Sequence, residues 1–464
     1  MRAMAAVQST EKERIGHAEV RFPRARGSEE SASAGDPEGG DGDVAAMHEP
    51  SHVRLLERVP HYLPGQRKLR LGSIVIPAAR AMGSGSGLAV GCRFATATDT
   101  QLVVIRSGDA SGEPFPEAFL PRTTLPTVVI DLPDGADGIL PWRSNEYVIA
   151  SLHRDSDLGL KRNLGMLLAR MQGLEAILYL DDDISVTPAS QLAARAARDH
   201  SWRAGDPLAR LDDVLANFAA SRELHAAGYF QRDFDDNSVF CHARRLVGRP
   251  QETFISGGAH AVKVDAPLPF FSRAYNEDWL FFLFLMLEGP HTFPFGGVRY
   301  VGTIHQDAYH PFTVLRAQSE EFGDLFAERL FSVLGRLPRE ELLVAATRPT
   351  FWEPAIDHRC GMIDGILEDL YRLGPGVRGG AVLDARRAMQ AARDLYAEAS
   401  DLAEELGRFF AALVADREEW RKLLASATPS SHSDALTLRE SLKVLGLDTH
   451  TTYLGGGSHG RWAS

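Results

Sequence analysis

The stretch EAILYLDDDI, residues 175–184, contains a short apolar run that leads directly into three consecutive aspartates. A short, unalternating apolar run is typical of a strand that is buried on both faces, as the strands of a parallel sheet are. Ligands of such sheets bind beyond the carboxyl ends of the strands. We therefore predict a buried strand whose end presents Asp181, Asp182 and Asp183 to a ligand.

Three earlier segments have the same character and predict further strands: LGSIVIPAAR (71–80), QLVVIRSGD (101–109) and TLPTVVIDLPDG (124–135). After them, residues 158–172 have apolar side chains at helical spacing, and Thr187-Pro188 has the N-cap and first residue of another helix. Strands that alternate with helices indicate a mostly parallel sheet. The predicted fold class is therefore α/β, with a central sheet flanked by helices.

Composition divides the 464-residue chain into four parts. The first is a Gly-, Ser- and acid-rich tail, which predicts disorder. The second contains the predicted strands. The third is rich in Ala, Leu, Glu and Arg, which predicts an amphipathic helical subdomain, and the fourth is a tail expected to be flexible. In chain order, the predicted boundaries are 1–50, 51–318, 319–428 and 429–464.

Composition also argues against several classes of protein. The formal net charge is −12 and no basic stripe is present, so nucleic-acid binding is not expected. Cys92, Cys241 and Cys360 include no C-x-x-C pair, so neither a zinc site nor a disulfide framework is expected. The N-terminus lacks a signal-peptide-like apolar run, and the apolar stretch at 279–287 is about half the ~20 residues that a membrane span needs. These features predict a cytoplasmic protein without a transmembrane segment.

The three aspartates suit the binding of a divalent cation. Mg²⁺ and Mn²⁺ prefer oxygen ligands, and Mg²⁺ is commonly held by one or two carboxylates together with substrate phosphates. If the strand continues, alternation points Asp181 and Asp183 the same way and turns Asp182 away. If the strand ends at the aspartates, a loop gathers them. The alternative interpretation is a solvated strand end that caps the next helix.

The motif LYLDDDI resembles the D-x-D signature of GT-A-fold glycosyltransferases, and further segments resemble family-two members in the same order. These segments are IVIPAAR (74–80), LGLKRNLGMLLARM (158–171), FISGGAHAVKV (254–264), AYNEDWLFF (274–282) and VGTIHQDAYHPF (301–312). The resemblance covers residues 70–312. It implies a GT-A fold, a UDP- or GDP-sugar donor, a hydroxyl acceptor, and Mn²⁺ or Mg²⁺.

The resemblance also implies the residues that hold the metal and the donor. Asp181 and Asp183 would bind the metal, with His305 as a further ligand and His310 as its rival. Those that would surround the donor are Pro77, Arg80, Asp109, Lys161, Arg162, Asp181 and Asp182. Ser107 is an alternative to Asp109, and a solvated basic turn is the alternative role for Lys161 and Arg162.

A third group of residues would act on the acceptor. Glu277 and Asp278 resemble the E-D motif, whose second acid serves as the base in inverting members, so Asp278 is the predicted base. Acids at a helix N-terminus are also stabilised by about 0.3–1 kcal/mol, so capping is the alternative for both. Gly257 and Gly258 would let the acceptor approach the backbone, or form a simple turn. Trp279 would stack on an acceptor sugar, or belong to the core.

Other functions stay open on the sequence alone. A retaining glycosyltransferase would use Asp278 to bind the acceptor. A sugar-phosphate nucleotidyltransferase would use the glycines of AARAMGSGSG (78–87) as a phosphate loop, but it leaves the motif at 276–278 unexplained. A non-catalytic binding module with a helical interaction domain is the fourth alternative. The C-terminal helices would also suit the formation of a homo-oligomer.

Overall fold

The computed structural model describes most of the chain between residues 55 and 455. The described ranges are 55–63, 65–80, 87–147, 156–185, 207–231, 238–249, 255–288, 297–306, 314–373, 379–398 and 401–455. They all belong to one compact unit, Asp41–Ser464. The predicted tail at 1–50, the predicted helix start at Thr187-Pro188, and His310 lie outside these ranges.

Ten strands and eleven α-helices occur in the described ranges. The strands are β1 (Glu57–Arg58), β2 (Leu71–Ala78), β3 (Gln101–Arg106), β4 (Thr127–Asp131), β5 (Ala176–Leu180), β6 (Ile184–Ser185), β7 (Ala226–Gln231), β8 (Ile255–Lys263), β9 (Val298–Gln306) and β10 (Thr451–Leu454). The helices are α1 (Gly87–Thr98), α2 (Leu158–Met171), α3 (Pro207–Ala220), α4 (Val239–Leu246), α5 (Glu277–Glu288), α6 (Val314–Val333), α7 (Arg339–Ala345), α8 (Pro349–Arg372), α9 (Gly379–Glu398), α10 (Leu402–Ala427) and α11 (Leu438–Val444).

Nine of the strands form a continuous sheet in the order β1-β9-β7-β8-β5-β2-β3-β4-β10, and β6 pairs with β9 beside it. Strands β6, β8 and β10 run antiparallel to their neighbours, whereas all the other pairs are parallel. The four strands predicted from apolar runs are β2 to β5, and the predicted helix at 158–172 is α2. The prediction of a mostly parallel α/β sheet is therefore confirmed.

The side chains of β5 show why its sequence does not alternate. Ile177 and Tyr179 pack into the hydrophobic core on one face of the sheet, together with residues of α2, α5 and the C-terminal helices. Leu178 and Leu180 pack into a second core on the other face, with residues of α1 and α3. Because both faces are covered, every position of the strand favours an apolar side chain.

The C-terminal helices share the core of the sheet. Trp420 of α10 donates a hydrogen bond from Nε1 to the carbonyl oxygen of Leu268, 2.9 Å away. Asp416 of α10 accepts hydrogen bonds from the backbone N–H groups of Arg143 and Ser144 at 2.9 and 2.8 Å. The predicted boundary between residues 318 and 319 falls inside α6. The change in composition there marks the start of helices that cover the sheet.

Part of the segment predicted to be flexible, 429–464, is structured. Helix α11 begins with a capping box between Thr437 and Glu440, and Leu442 and Leu447 are fully buried. Strand β10 then pairs antiparallel with β4 and extends the sheet by one strand. The prediction was wrong for these residues. Their apolar pattern is short and lies between Gly- and Ser-rich stretches, and contacts with residues far away in the sequence stabilise it.

No helix in the described ranges is long and apolar enough to cross a membrane. The apolar stretch at 279–287 belongs to α5, a helix of 12 residues. Its residues Phe281, Phe282 and Leu283 are fully buried in the core that the C-terminal helices complete.

Candidate functional site

The order in which successive strands are added to the sheet reverses at β2. After β2 the chain adds β3 and β4 on one side, and it then crosses to the opposite side of β2 to form β5. In open α/β sheets, the crevice beyond the carboxyl ends of the strands at such a reversal is the usual place for a ligand. Asp181 follows the end of β5 and Ala79 follows the end of β2, so the three aspartates lie at this reversal.

Five acidic side chains and two arginines form the site, which we call the acid cluster. The acidic residues are Asp181, Asp182, Asp183, Glu277 and Asp278, and the arginines are Arg80 and Arg162. The acids come from the turn after β5 and from the first turn of α5, two segments that are far apart in sequence. Contacts of the arginines and of Gly257 connect them, as the following paragraphs describe.

Arg162 of α2 connects the two groups of acids. Its Nη2 donates to both carboxylate oxygens of Asp181 at 2.9 Å, and its Nη1 donates to Oε1 of Glu277 at 3.0 Å. The guanidinium is 1% exposed and lies 5.3 Å from the centroid of the Phe271 ring. Arg162 is therefore a buried cation shared by two carboxylates, so the solvated-turn interpretation is wrong for it.

Asp278 is held by the backbone on both sides. Its Oδ2 accepts a hydrogen bond from the N–H of Gly257 at 2.6 Å, and its Oδ1 accepts one from the N–H of Trp279 at 2.8 Å. Desolvation raises the pKa of Asp278, and the neighbouring charge of Glu277 raises it further. A carboxylate with a raised pKa and a fixed position is suited to accept a proton.

A turn, and not strand alternation, decides where Asp182 and Asp183 point. Oδ2 of Asp182 accepts hydrogen bonds from the backbone N–H groups of Ala79 and Arg80 at 2.9 and 3.1 Å. Nη2 of Arg80 lies 2.7 Å from Oδ2 of Asp183. The strand alternation behind the expected Asp181–Asp183 pair is therefore absent, and the pairing of Asp181 with Asp183 on a metal stays a prediction. Because β5 ends at Leu180, the alternation of a strand stops before the aspartates.

The Asp181 carboxyl group is buried beside one cation, Arg162, and two other aspartates. Burial raises the pKa of Asp181 to about 7, the ion pair with Arg162 acts against this rise, and the charges of Asp183 and Asp182 add to it. A positive charge placed beside this carboxyl group would stabilise its ionised form. Asp181 is thus a group whose charge depends on what binds next to it.

The acid cluster offers carboxylate oxygens, but arginines already contact both predicted metal ligands: Arg162 donates to both oxygens of Asp181, and Arg80 lies 2.7 Å from Asp183. Oxygen atoms are the ligands that Mg²⁺ and Mn²⁺ prefer. Asp181 and Asp183 are the residues that would hold such a cation. Within the described ranges no group of three or more His, Cys, Asp or Glu side chains is arranged to hold a metal. A metal site at Asp181 and Asp183 therefore stays a prediction.

The predicted third metal ligand is only partly described. The backbone of His305 pairs with that of Ser185 between β9 and β6. This pairing brings the backbone of His305 to the strand that directly follows the three aspartates. The side chain of His305 lies outside the described part of the structure, so its metal-binding role stays a prediction.

Lys161 fastens α2 to the ends of β2 and β3. Its Nζ donates to the carbonyl oxygen of Ala78 at 2.8 Å and to Oγ of Ser107 at 2.6 Å, and it pairs with Asp157 at 2.7 Å. The side chain is 2% exposed, and burial lowers the pKa of its ammonium group. All three of its donors are used by the protein, so the solvated-turn interpretation is wrong for Lys161, and its donor-binding role stays a prediction. Asp109 is exposed in a short 3₁₀ turn.

The two glycines predicted to bind the acceptor lie inside β8, so the alternative of a simple turn is wrong. A Cβ atom on Gly257 would lie 2.5 Å from Cβ of Asp278 and 2.7 Å from Nη1 of Arg162. The carbonyl oxygen of Gly258 accepts a hydrogen bond from the N–H of Asp181 at 2.8 Å. Gly257 is therefore required for the close approach of two charged side chains of the acid cluster.

We expect Gly257→Ala to destabilise the protein by about 1–3 kcal/mol, because the added methyl group forces Asp278 and Arg162 apart. Urea denaturation of the wild type and the variant measures this change. Gly361→Ala is the matched control, since a Cβ there meets no atom within 4 Å and Ala has the higher helix propensity. Equal stability of Gly257→Ala and the wild type would contradict the predicted steric conflict.

Two other predicted site residues have structural surroundings. Pro77 is buried in β2, opposite Ile105 of β3 and one residue before the strand ends. Trp279 is partly buried and its ring contacts that of Phe331 in α6, with 6.1 Å between the centroids. This contact favours the alternative interpretation of Trp279 as a core residue.

The structure adds two residues that the sequence interpretation did not single out. His260 of β8 is fully buried, its Nδ1 lies 2.8 Å from the carbonyl oxygen of Gly257, and its ring stacks on Tyr179 with 4.8 Å between centroids. Burial lowers the pKa of His260 to about 3, so the ring is neutral and Nδ1–H donates to Gly257. Gly87 opens α1 and donates its N–H to the carbonyl oxygen of Asp182 at 2.6 Å.

The sequence contains a signal for each of these residues. His260 stands three positions after Gly257 in the predicted strand, and Gly87 ends the run GSGSG (83–87). A Cβ atom on Gly87 would overlap the carbonyl oxygen of Asp181. The glycine therefore permits the first turn of α1 to lie against the backbone of the aspartate turn.

No protein-family model matches the chain, and no curated protein matches it in sequence. What the protein does must therefore be inferred from the residues of the acid cluster and their surroundings.

Proposed function

We propose that the protein is a metal-dependent glycosyltransferase of the GT-A fold, which moves a sugar from a UDP- or GDP-sugar to an acceptor hydroxyl. The observation that carries the proposal is Arg162. One guanidinium group binds Asp181 of the D-x-D-like motif and Glu277 of the E-D-like motif. These two motifs therefore share one site at the sheet reversal, where a donor nucleotide would bind.

The residues after β5 and β2 would bind the diphosphate of the donor. A divalent cation held by Asp183 and Asp181 would offset the negative charge that builds up on the leaving diphosphate. The side chain of Arg80 is 47% exposed at the rim of the acid cluster. From that position its guanidinium would bind a phosphate oxygen and add to the stabilisation of the leaving group.

Asp278 would act as the base. Its carboxylate would take the proton of the acceptor hydroxyl while the acceptor oxygen forms a bond to the anomeric carbon of the sugar. The bond between that carbon and the diphosphate oxygen breaks, and its electron pair leaves with the diphosphate. Attack from the face opposite to the leaving group inverts the anomeric configuration. The backbone donors of Gly257 and Trp279 would hold Asp278 in position for this step.

We expect binding of the donor to raise the unfolding temperature only when Mn²⁺ or Mg²⁺ is present. A ligand at 100 times its dissociation constant stabilises the folded state by about 2.7 kcal/mol, which a thermal-shift assay with a panel of UDP- and GDP-sugars would detect. Asp183→Asn should abolish the shift, whereas Asp134→Asn, at an exposed position, should retain it. A panel without any metal-dependent shift would refute the proposed donor class.

The stereochemistry of the reaction separates the proposed mechanism from the retaining alternative. NMR of the product formed from a donor of known configuration reports the configuration at the anomeric carbon. Inversion is expected if Asp278 is the base. Retention would leave the donor and metal site in place and would reassign Asp278 to acceptor binding.

A further inference from the structure

The acid pair of α5 is preceded by a residue with an unusual backbone conformation. Asn276 has φ of 62°, in the left-handed region, where asparagine is found more often than most other residues. Its carbonyl oxygen accepts a hydrogen bond from the N–H of Leu280 at 3.0 Å and so begins α5. The direction in which Glu277 and Asp278 leave the loop therefore depends on the conformation of Asn276.

A side chain from the C-terminal helices holds Asn276. Its Nδ2 donates to Oδ1 of Asp324 in α6 at 2.9 Å. One residue earlier in α6, Gly323 lies so close to the loop that a Cβ would be 2.7 Å from the carbonyl oxygen of Tyr275. Helix α6 therefore contacts the two residues that precede the acid pair, through its backbone and through one carboxylate.

Asp324 is itself fixed by a buried network of charges. Nη2 of Arg359 in α8 lies 3.2 Å from Oδ2 of Asp324. Arg359 also donates from Nε and Nη2 to the carboxylate of Glu321 at 2.7 and 2.9 Å, and the hydroxyl of Tyr396 in α9 donates to the same carboxylate. Arg359 and Glu321 are fully buried, and the guanidinium lies 3.9 Å from the centroid of the Phe240 ring.

The network ends at the acid cluster. Arg359 orients Asp324, Asp324 holds Asn276, and Asn276 is followed directly by Glu277 and Asp278. Leaving one partner of a buried ionic group unpaired is costly, so a change at one of these side chains affects the others. The positions of the three helices and of the acid pair are thus coupled through hydrogen bonds.

We propose that Asp324 and Arg359 are positioning residues, which hold Asn276 in its left-handed conformation and thereby place Asp278 against Gly257 and Glu277 against Arg162. The consequence for catalysis rests on the proposed function, in which Asp278 is the base. The C-terminal helices, which the sequence analysis considered only for oligomer formation or as an interaction domain, then support the catalytic acid.

The first test compares Asn276→Ala with Asn276→Gly in the full chain. Both remove the contact with Asp324, but glycine tolerates the left-handed conformation and alanine does not. We expect kcat to fall by about 100-fold in Asn276→Ala, as for a catalytic group displaced by about 1 Å, and to fall less in Asn276→Gly. The donor KM should change little in either variant, because the aspartates after β5 are unaffected.

Hydrogen–deuterium exchange supplies a readout that does not need activity. The N–H groups of Gly257 and Trp279 donate to Asp278, so the segments that contain them should exchange faster in Asn276→Ala. Asp364→Ala is the matched control, because it breaks an exposed ion pair between α8 and Arg393 of α9. It should change neither kcat nor the exchange of these segments.

A swap of the two side chains tests the hydrogen bond between Asn276 and Asp324 itself. The double variant Asn276→Asp with Asp324→Asn restores one donor and one acceptor between the two positions, with the same net charge. We expect its kcat to exceed that of Asn276→Asp alone, in which two carboxylates face each other, because the two positions are coupled. If Asn276→Ala folds and changes neither kcat nor the hydrogen–deuterium exchange of the segments around Gly257 and Trp279, the inference is overturned. Faster exchange in a protein without transferase activity would support the positioning role and refute only the proposed function.

Discussion

Asp278→Asn is expected to lower kcat by about 10²- to 10⁴-fold, the usual contribution of a general base. The amide cannot accept the proton of the acceptor hydroxyl, and the donor site at Asp183 is untouched, so the donor KM should stay within about twofold of the wild-type value. Steady-state kinetics with a donor identified by thermal shift measures both. Asp265→Asn, at an exposed turn position, is the control and should be fully active.

The pH dependence of the wild type provides a second check on Asp278. A base must be deprotonated, so kcat should rise with pH and level off above the pKa of the group. Burial and the charge of Glu277 raise the pKa of Asp278, so this rise should lie above the range of an ordinary aspartate. In Asp278→Asn, kcat should no longer show this rise with pH. Full activity of Asp278→Asn, with an unchanged profile, would remove Asp278 from the proposed mechanism.

Arg162→Met is expected to destabilise the protein by about 3–5 kcal/mol, the cost of removing one partner from a buried ion pair. The replacement fills most of the volume but leaves Asp181 and Glu277 without the cation they share. Urea denaturation measures the change in the free energy of unfolding. Arg162→Lys should lower the free energy of unfolding less, because an ammonium group retains the positive charge. It should still lower it, because an ammonium group cannot bind two carboxylates with the planar geometry of a guanidinium.

The loss caused by Arg162→Met should also depend on pH. In the unfolded chain Asp181 ionises near its ordinary pKa, whereas burial raises the pKa in the folded state to about 7, and removal of Arg162 would raise it further. The folded variant must therefore keep a proton that the unfolded chain releases, so its stability falls as the pH rises from about 4 towards and beyond 7. Arg408→Ala, which breaks an exposed ion pair with Glu405, should show little loss at any pH. If Arg162→Met lowered the free energy of unfolding as little as Arg408→Ala, the structural role of Arg162 would be contradicted.

Lys161 and Arg162 show which contacts could not be predicted from the sequence. Lys161 and Arg162 are adjacent and basic, and the sequence interpretation treated them alike. In the structure Lys161 binds the ends of β2 and β3, whereas Arg162 binds Asp181 and Glu277. One position along a helix turns a side chain by about 100°, so the two residues meet different elements. Only the packing of α2 against the sheet reveals which partner each one has.

The sequence by itself determined the strands from β2 to β5, the helix before β5, and the position of the aspartates at a strand end. These features are local, since short apolar runs rich in β-branched residues and bounded by turn residues favour strands covered on both faces, and the polar residues that follow mark where each run ends. The tertiary structure alone decided which acids share Arg162, how the turn after Leu180 points Asp182 and Asp183, and that Asp324 holds Asn276. Those contacts join residues far apart in the chain, and their energies depend on distances and burial that appear only once the helices have packed on the sheet.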